Sequence, residues 1–166
     1  MNKLEFISSK ILDREQLRRA CVVWSFKEMK VVFTNGCFDI LHLGHIEYLA
    51  KAAGLGDLLV VGINSDRSVH MIKGDWRPIN DEYSRSMVLA SLEFVSAVVL
   101  FDEETPYELI KTIQPDILVK GKDYTVDKIV GHDIVLAKGG KVKTIELTPG
   151  YSTTGIEQKI LNLHKG

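Results

Sequence analysis

His42 and His45 stand three residues apart, with Gly44 between them, directly after an apolar run and a turn-forming Asn35-Gly36. Three-residue spacing puts both imidazoles on one face of a helix's first turn. Gly44 has no side chain, so an anion can come close to the backbone there. A helix start also presents unpaired N–H groups and a partial positive charge. Two imidazole donors on such a terminus make a cradle for a triphosphate. The plain alternative is one packed histidine and one surface histidine; the glycine-spaced pair at a strand–helix junction favours function. A zinc site is a further alternative, but it needs a third ligand, and only Cys37 and Asp39 are near in sequence.

Other positions have a chemical reading of their own. Ser152, Thr153 and Thr154 open the last helical segment, where hydroxyls and free amides suit phosphate. Thr154 with Glu157 forms a capping box, which leaves Ser152 and Thr153 surplus to the cap. Lys73 and Arg77 lie in a Gly/Pro-punctuated loop and can neutralise phosphate, or be a solvated pair. Trp76 beside them packs over a base or sugar, or only covers the loop. Lys120-Gly121-Lys122 follows a short apolar run and suits an anion, with Asp123 free to accept sugar hydroxyls; a charged turn is the alternative. Asp39 fixes its turn or serves the nucleotide–metal region. Arg85 reads as an ordinary exposed helix residue. His70, His132 and His164 have no comparable setting.

These side chains need elements to hold them. Nearly continuous apolar runs at Lys30–Thr34, Leu58–Ile63, Ala97–Phe101, Ile117–Val119 and Val142–Leu147 predict five strands covered on both faces. Helix signals alternate with them. Asp13 with Gln16 predicts a capped helix toward Phe26, and Gly44–Ala53 a helix stopped by Gly54. Asp81 predicts a helix to about Leu92 that buries Met87, Val88, Leu89 and Leu92. Thr105 with Glu108 predicts a capping box with Pro106 at the first helical position. Thr154 opens a helix to about Leu163. The pattern predicts an α/β fold: a Rossmann-like, doubly wound, mainly parallel five-stranded sheet with helices on both faces. It reads as a single domain over 1–166, with a helical segment at 1–29 and the core at 30–166. Ligands of such folds bind beyond the carboxyl ends of the strands, where the strand order switches.

Composition narrows the function classes. The chain has 166 residues, 45% hydrophobic and 26% charged, enough for one buried core. With 21 basic and 22 acidic residues it offers no general attraction for nucleic acid. No uncharged apolar stretch reaches the roughly 18 residues of a membrane span, and the first residues lack a signal pattern. Cys21 and Cys37 make neither a metal cluster nor a disulfide framework, which fits a reducing cytoplasm.

Thr34-Asn-Gly-Cys-Phe-Asp39 followed by His42-Leu-Gly-His45 resembles the signature of the cytidylyltransferase-like nucleotidyltransferases. Gly62-Ile-Asn-Ser-Asp66, Lys73-Gly74, Arg77-Pro78, Phe101-Asp-Glu-Glu-Thr-Pro106, Lys120-Gly-Lys-Asp-Tyr124 and Gly150-Tyr-Ser-Thr-Thr154 occur in that order. Together, from about Lys10 onward, they are similar to the adenylyltransferase domain of ADP-heptose synthesis, which acts on D-glycero-β-D-manno-heptose 1-phosphate. The resemblance implies transfer of AMP from ATP, carried with Mg²⁺, to a sugar 1-phosphate. It implies catalytic roles for His42, His45, Lys73 and Arg85. Nucleotide contacts would come from Thr34, Asn35, Gly36, Phe38, Asp39, Gly44, Tyr151, Ser152, Thr153 and Thr154. Sugar-phosphate contacts would come from Asp66, Trp76, Arg77, Lys120, Gly121 and Asp123. No side-chain cluster for a metal is expected, Asp39 being the one candidate contact. A homodimer is expected, and the sugar kinase step falls to a separate protein. Two alternatives stay open: a CTP-dependent enzyme acting on a polyol or alcohol phosphate, and a non-catalytic nucleotide-binding module. A flavodoxin-like domain would instead place a Ser/Thr-rich loop where Asn35–Asp39 stands.

Overall fold

The computed structural model describes residues 1–163; His164 lies outside them. Six strands form one sheet: β1 (Ile11–Leu12), β2 (Val31–Gly36), β3 (Leu58–Asn64), β4 (Ala97–Phe101), β5 (Ile117–Gly121) and β6 (Lys141–Ile145). Their order is β1-β4-β3-β2-β5-β6, and every pairing is parallel. The sheet therefore has six strands rather than the five expected, and it is wholly parallel. The extra strand comes from the segment 1–29, which is not only helical. Two residues are too few to show a run in sequence, and β1 exists because Ile11 and Leu12 register with Val98 and Val99 of β4.

The helices are α1 (Lys3–Ser8), α2 (Arg14–Phe26), α3 (Leu43–Ala53), α4 (Asp66–Lys73), α5 (Glu82–Ser91), α6 (Tyr107–Ile113), α7 (His132–Ala137) and α8 (Thr153–Leu163). Strand side chains alternate between faces. Val32, Val61, Ile63, Val98 and Val119 pack with Tyr48, Leu49 and Ala52 of α3 and Leu89 and Ala90 of α5. Val31, Phe33, Val60, Val99 and Leu118 face the other way, onto Leu17 of α2, Leu109, Ile110 and Ile113 of α6, and Val135 of α7. Two apolar layers thus clamp the sheet, as its continuous apolar strands require.

Local signals resolve unevenly. Asp13 and Gln16 form the expected capping box, and Asp81 caps α5 by accepting the Ser84 amide at 2.7 Å. Val88 of α5 is exposed, however, and the buried positions there include Arg85 and Ser86. Pro106 is the N-cap of α6 rather than its first residue, and no side chain caps that helix. β2 runs through Asn35 and Gly36 instead of turning at them; the turn follows at Phe38, with φ 46°. α8 is capped by Ser152, whose Oγ accepts the Gly155 amide at 3.0 Å. The hydroxyl expected to be surplus is the one that caps. Among the described residues no helix is long and apolar enough to cross a membrane.

Candidate active site

The carboxyl ends of β2, β3 and β5 open into a cleft of about 460 Å³. Asn35 and Gly36 supply its floor from β2, Asn64 from β3, and Lys120 and Gly121 from β5. This is where the chain stops adding strands on one side of β2 and resumes on the other, the switch point that in such sheets forms a crevice. His45 reaches the cleft from the first turn of α3, Lys73 from the end of α4, and Thr153 from the first turn of α8.

The two imidazoles come together as their spacing predicts. His42 is the N-cap of α3 and offers no side-chain bond to that helix. Its ring stacks on that of His45, with centroids 3.8 Å apart and planes 22° apart. Phe38 meets His45 edge-on, with centroids 5.2 Å apart and planes 64° apart. His42 itself is not on the cleft wall, and His45 is. Nδ1 of both rings and Oδ1 of Asn35 are buried without a hydrogen-bond partner. Buried polar atoms are nearly always satisfied, which makes three orphans at one junction an exception. Burial pushes the His45 imidazole down to about 4, with repulsion from His42 and Lys73 adding to it and the Ile40 carbonyl opposing. Burial lowers His42 as well. His45 is therefore neutral at pH 7 before any anion binds, with one N–H to donate.

Gly44 owes its smallness to packing. A Cβ there would stand 3.2 Å from the His42 ring and 3.3 Å from Tyr151 Cβ. Those two side chains occupy the direction a Gly44 side chain would take. Lys120 lies across the cleft, its Nζ donating to the Asn35 carbonyl at 3.1 Å. Burial pushes its ammonium down to about 8, with Asp123 and Cys37 opposing. Asp123 and Phe38 also line the cleft.

Several expected contacts lie elsewhere. Thr34 is fully buried, and its hydroxyl pairs with Tyr48 OH at 2.7 Å, tying β2 to α3. Arg85 is buried, not exposed. Its guanidinium donates to the Cys37 carbonyl at 2.7 Å, the Asn80 carbonyl at 3.0 Å and Asp66 Oδ1 at 2.7 Å. Arg85 and Asp66 thus hold one another and the loop before α3, and neither lines the cleft. Arg77 is likewise occupied, by Asp39 at 2.8 Å and by Glu157. Asp39 borders the cleft, but its carboxylate accepts from Arg77 and from the Ile79 and Asn80 amides. Burial raises its pKa, and those donors outweigh burial and hold it below the usual range. Trp76 is 94% exposed and covers nothing. Tyr151, Ser152 and Thr154 are not on the cleft wall, whereas Thr153 is. No group of three His, Cys, Asp or Glu side chains among the described residues is placed to hold a metal.

The cleft also has walls that the sequence reading passed over. Asn64 is buried, donates from Nδ2 to Ser68 Oγ at 2.9 Å and accepts the Cys37 thiol at 3.8 Å. Its place at the carboxyl end of a buried strand is a usable signal. Glu104 and Tyr124, which fall inside motifs quoted for the resemblance, and Lys128, at the end of a short 3-10 turn, also line it; no role is assigned to them from sequence.

The chain belongs to the cytidylyltransferase-like family, whose profile matches residues 33–159. Among curated relatives, the bifunctional protein HldE of Citrifermentans bemidjiense is 51% identical over 154 residues, 93% of this chain and 32% of that protein. HldE of Nitratiruptor is 58% identical over 131 residues, covering 79% of this chain and 28% of its own. The chain thus spans roughly a third of the length of the curated relatives it matches. Among solved structures, a lipopolysaccharide core biosynthesis protein of Thermoplasma volcanium is 34% identical, with a TM-score of 0.58, covering 72% of this chain and 97% of that one. A pantoate-beta-alanine ligase of Francisella tularensis, 18% identical with a TM-score of 0.58 over 94% of this chain and 79% of its own, shares the fold.

Proposed function

We propose that this chain is an adenylyltransferase that moves AMP from ATP to a sugar 1-phosphate, with D-glycero-β-D-manno-heptose 1-phosphate as acceptor. The observation that carries the reading is the β2–α3 junction that brings His45, stacked on His42, to the cleft at the switch in strand order. Curated relatives named HldE at about half identity support the acceptor, and so does the lipopolysaccharide core protein. The strand order, with its switch at β2, supports a Rossmann-like nucleotide site.

The acceptor's phosphate oxygen forms the new bond to the α-phosphorus of ATP. The bond from that phosphorus to the bridging oxygen breaks, and pyrophosphate leaves with the electron pair. The acceptor is anionic at neutral pH and needs no strong base, so positioning and charge stabilisation carry the rate. Neutral His45 donates to a phosphate oxygen, and His42 sets its plane. Lys120 and Lys73 both line the cleft as cations for phosphate charge. Thr153 adds a hydroxyl from α8. Mg²⁺ enters as part of the nucleotide substrate, keeping its waters and phosphate ligands. We read the protein as a cytoplasmic homodimer; light scattering in solution tests the dimer.

The deciding assay is pyrophosphate release from heptose and hexose 1-phosphates against ATP and CTP. Release with ATP and the heptose 1-phosphate is expected. Release only with CTP and a polyol phosphate, or tight ATP binding with no turnover on any acceptor, would overturn the reading.

A further inference from the structure

α8 is attached to the molecule in an unusual way. It has eleven residues and none is buried; Ile160, Leu161 and Leu163 are 49%, 58% and 80% exposed. Helices normally take their position from a buried apolar face, and α8 has none to use. Yet its first turn brings Thr153 to the cleft wall. Just before the helix, Tyr151 leans on Gly44 and Thr148 bonds Glu47. Within the helix, the one ion pair or side-chain hydrogen bond to the rest of the chain, among the described residues, is Glu157 with Arg77. These side chains are only 27% and 17% exposed. The same guanidinium donates to Asp39 at 2.8 Å. Asp39 is 4% exposed and pinned by two backbone amides, three residues before His42. One arginine therefore bridges the loop that leads into the histidine pair and the helix that faces it.

We propose that Arg77 is a positioning residue: by bridging Asp39 and Glu157 it sets α8 so that Thr153 meets the nucleotide opposite His45. It does this without touching substrate: Nη1 and Nη2 face the two carboxylates, and Arg77 is not on the cleft wall. The proposal rests on the adenylyltransferase reading for the identity of the nucleotide. A pair this shielded from water holds better than a surface bridge, and the planar fork reaches two carboxylates at once, which a lysine does not.

The test uses Glu157→Gln, which keeps the shape and drops the charge, beside Arg77→Lys and the double variant. Hydrogen exchange of α8 amides should quicken about tenfold in each, with α3 amides unchanged. The dissociation constant for ATP, by calorimetry, and KM for ATP should rise about fivefold, with kcat within about twofold. The double variant should be no worse than the poorer single one, since all three break one bridge. Wild-type α8 exchange or wild-type ATP affinity in Glu157→Gln would overturn the proposal. Equal loss in kcat and in thermal stability would overturn it too, as the mark of a merely structural role. If the wild type binds ATP but releases no pyrophosphate, the transfer reading falls alone, because exchange and affinity are read without turnover.

Discussion

A histidine held neutral inside a protein is a different tool from a surface one. Burial at His45 removes charge before a ligand arrives, so under the proposed function its contribution to phosphate binding is a directed N–H. Replacing His45 with Ala should cut kcat/KM on the order of a hundredfold, with the melting temperature little changed; pyrophosphate release and a thermal melt check both halves. The same burial makes a stability statement. His45 protonates at about 4 in the folded chain against an ordinary 6.5, so below 6.5 the unfolded chain takes up the proton first. Stability present above that value drains away as pH falls toward 4. Urea melts across this window should show a shallower acid slope in His45→Asn than in the wild type. Lys120 works on the alkaline side. Its ammonium, pushed down to about 8, loses charge as pH rises through that value, so KM for the anionic substrates should climb above it. Lys120→Arg should remove that climb, read from KM across the pH range. The histidine pair was legible in the sequence because glycine spacing at a strand end has few other meanings. Arg85 was not. A charge on an amphipathic helix reads as solvated, and only the fold reveals that two carbonyls and Asp66 surround it. Ser152, Thr153 and Thr154 offered three hydroxyls within one turn, and sequence has no means to tell the cap from the cleft wall.

Elements carry the next set of consequences. The loop between α4 and α5 is bolted to the β2–α3 loop twice, through Asp39 and through Arg85. Arg85→Met should therefore loosen the site's frame and cost on the order of 1.5–3 kcal/mol, the range for hydrogen bonds to a charged group; chemical denaturation reads it directly. Asp81→Ala, which removes the α5 cap, should cost about 1 kcal/mol in the same experiment. Strands β2 to β5 could be read from apolar runs because both faces are covered, and caps at Asp13 and Asp81 because their acceptors sit three residues before the amide they bind. β1 escaped notice since two residues carry no period. Pro106 was misplaced by one position because proline fits both the cap and the first turn.

At the scale of the whole molecule, β1 shields the outer ladder of β4. Deleting residues 1–12 strips the partners of Val98 and Val99 and leaves an apolar strand with unpaired backbone, which invites edge pairing with another copy. Light scattering of that variant should show mass rising with concentration, where the wild type stays constant. The order of the strands has one more outcome. Three ladders separate β2 from the β1 rim, but only two separate it from the β6 rim, and β5 stands a single ladder from it. Opening that begins at the borders of a sheet works inward. The half of the cleft that carries Lys120 should accordingly exchange its amides sooner than the half that carries Asn64, one stiff jaw beside one that gives.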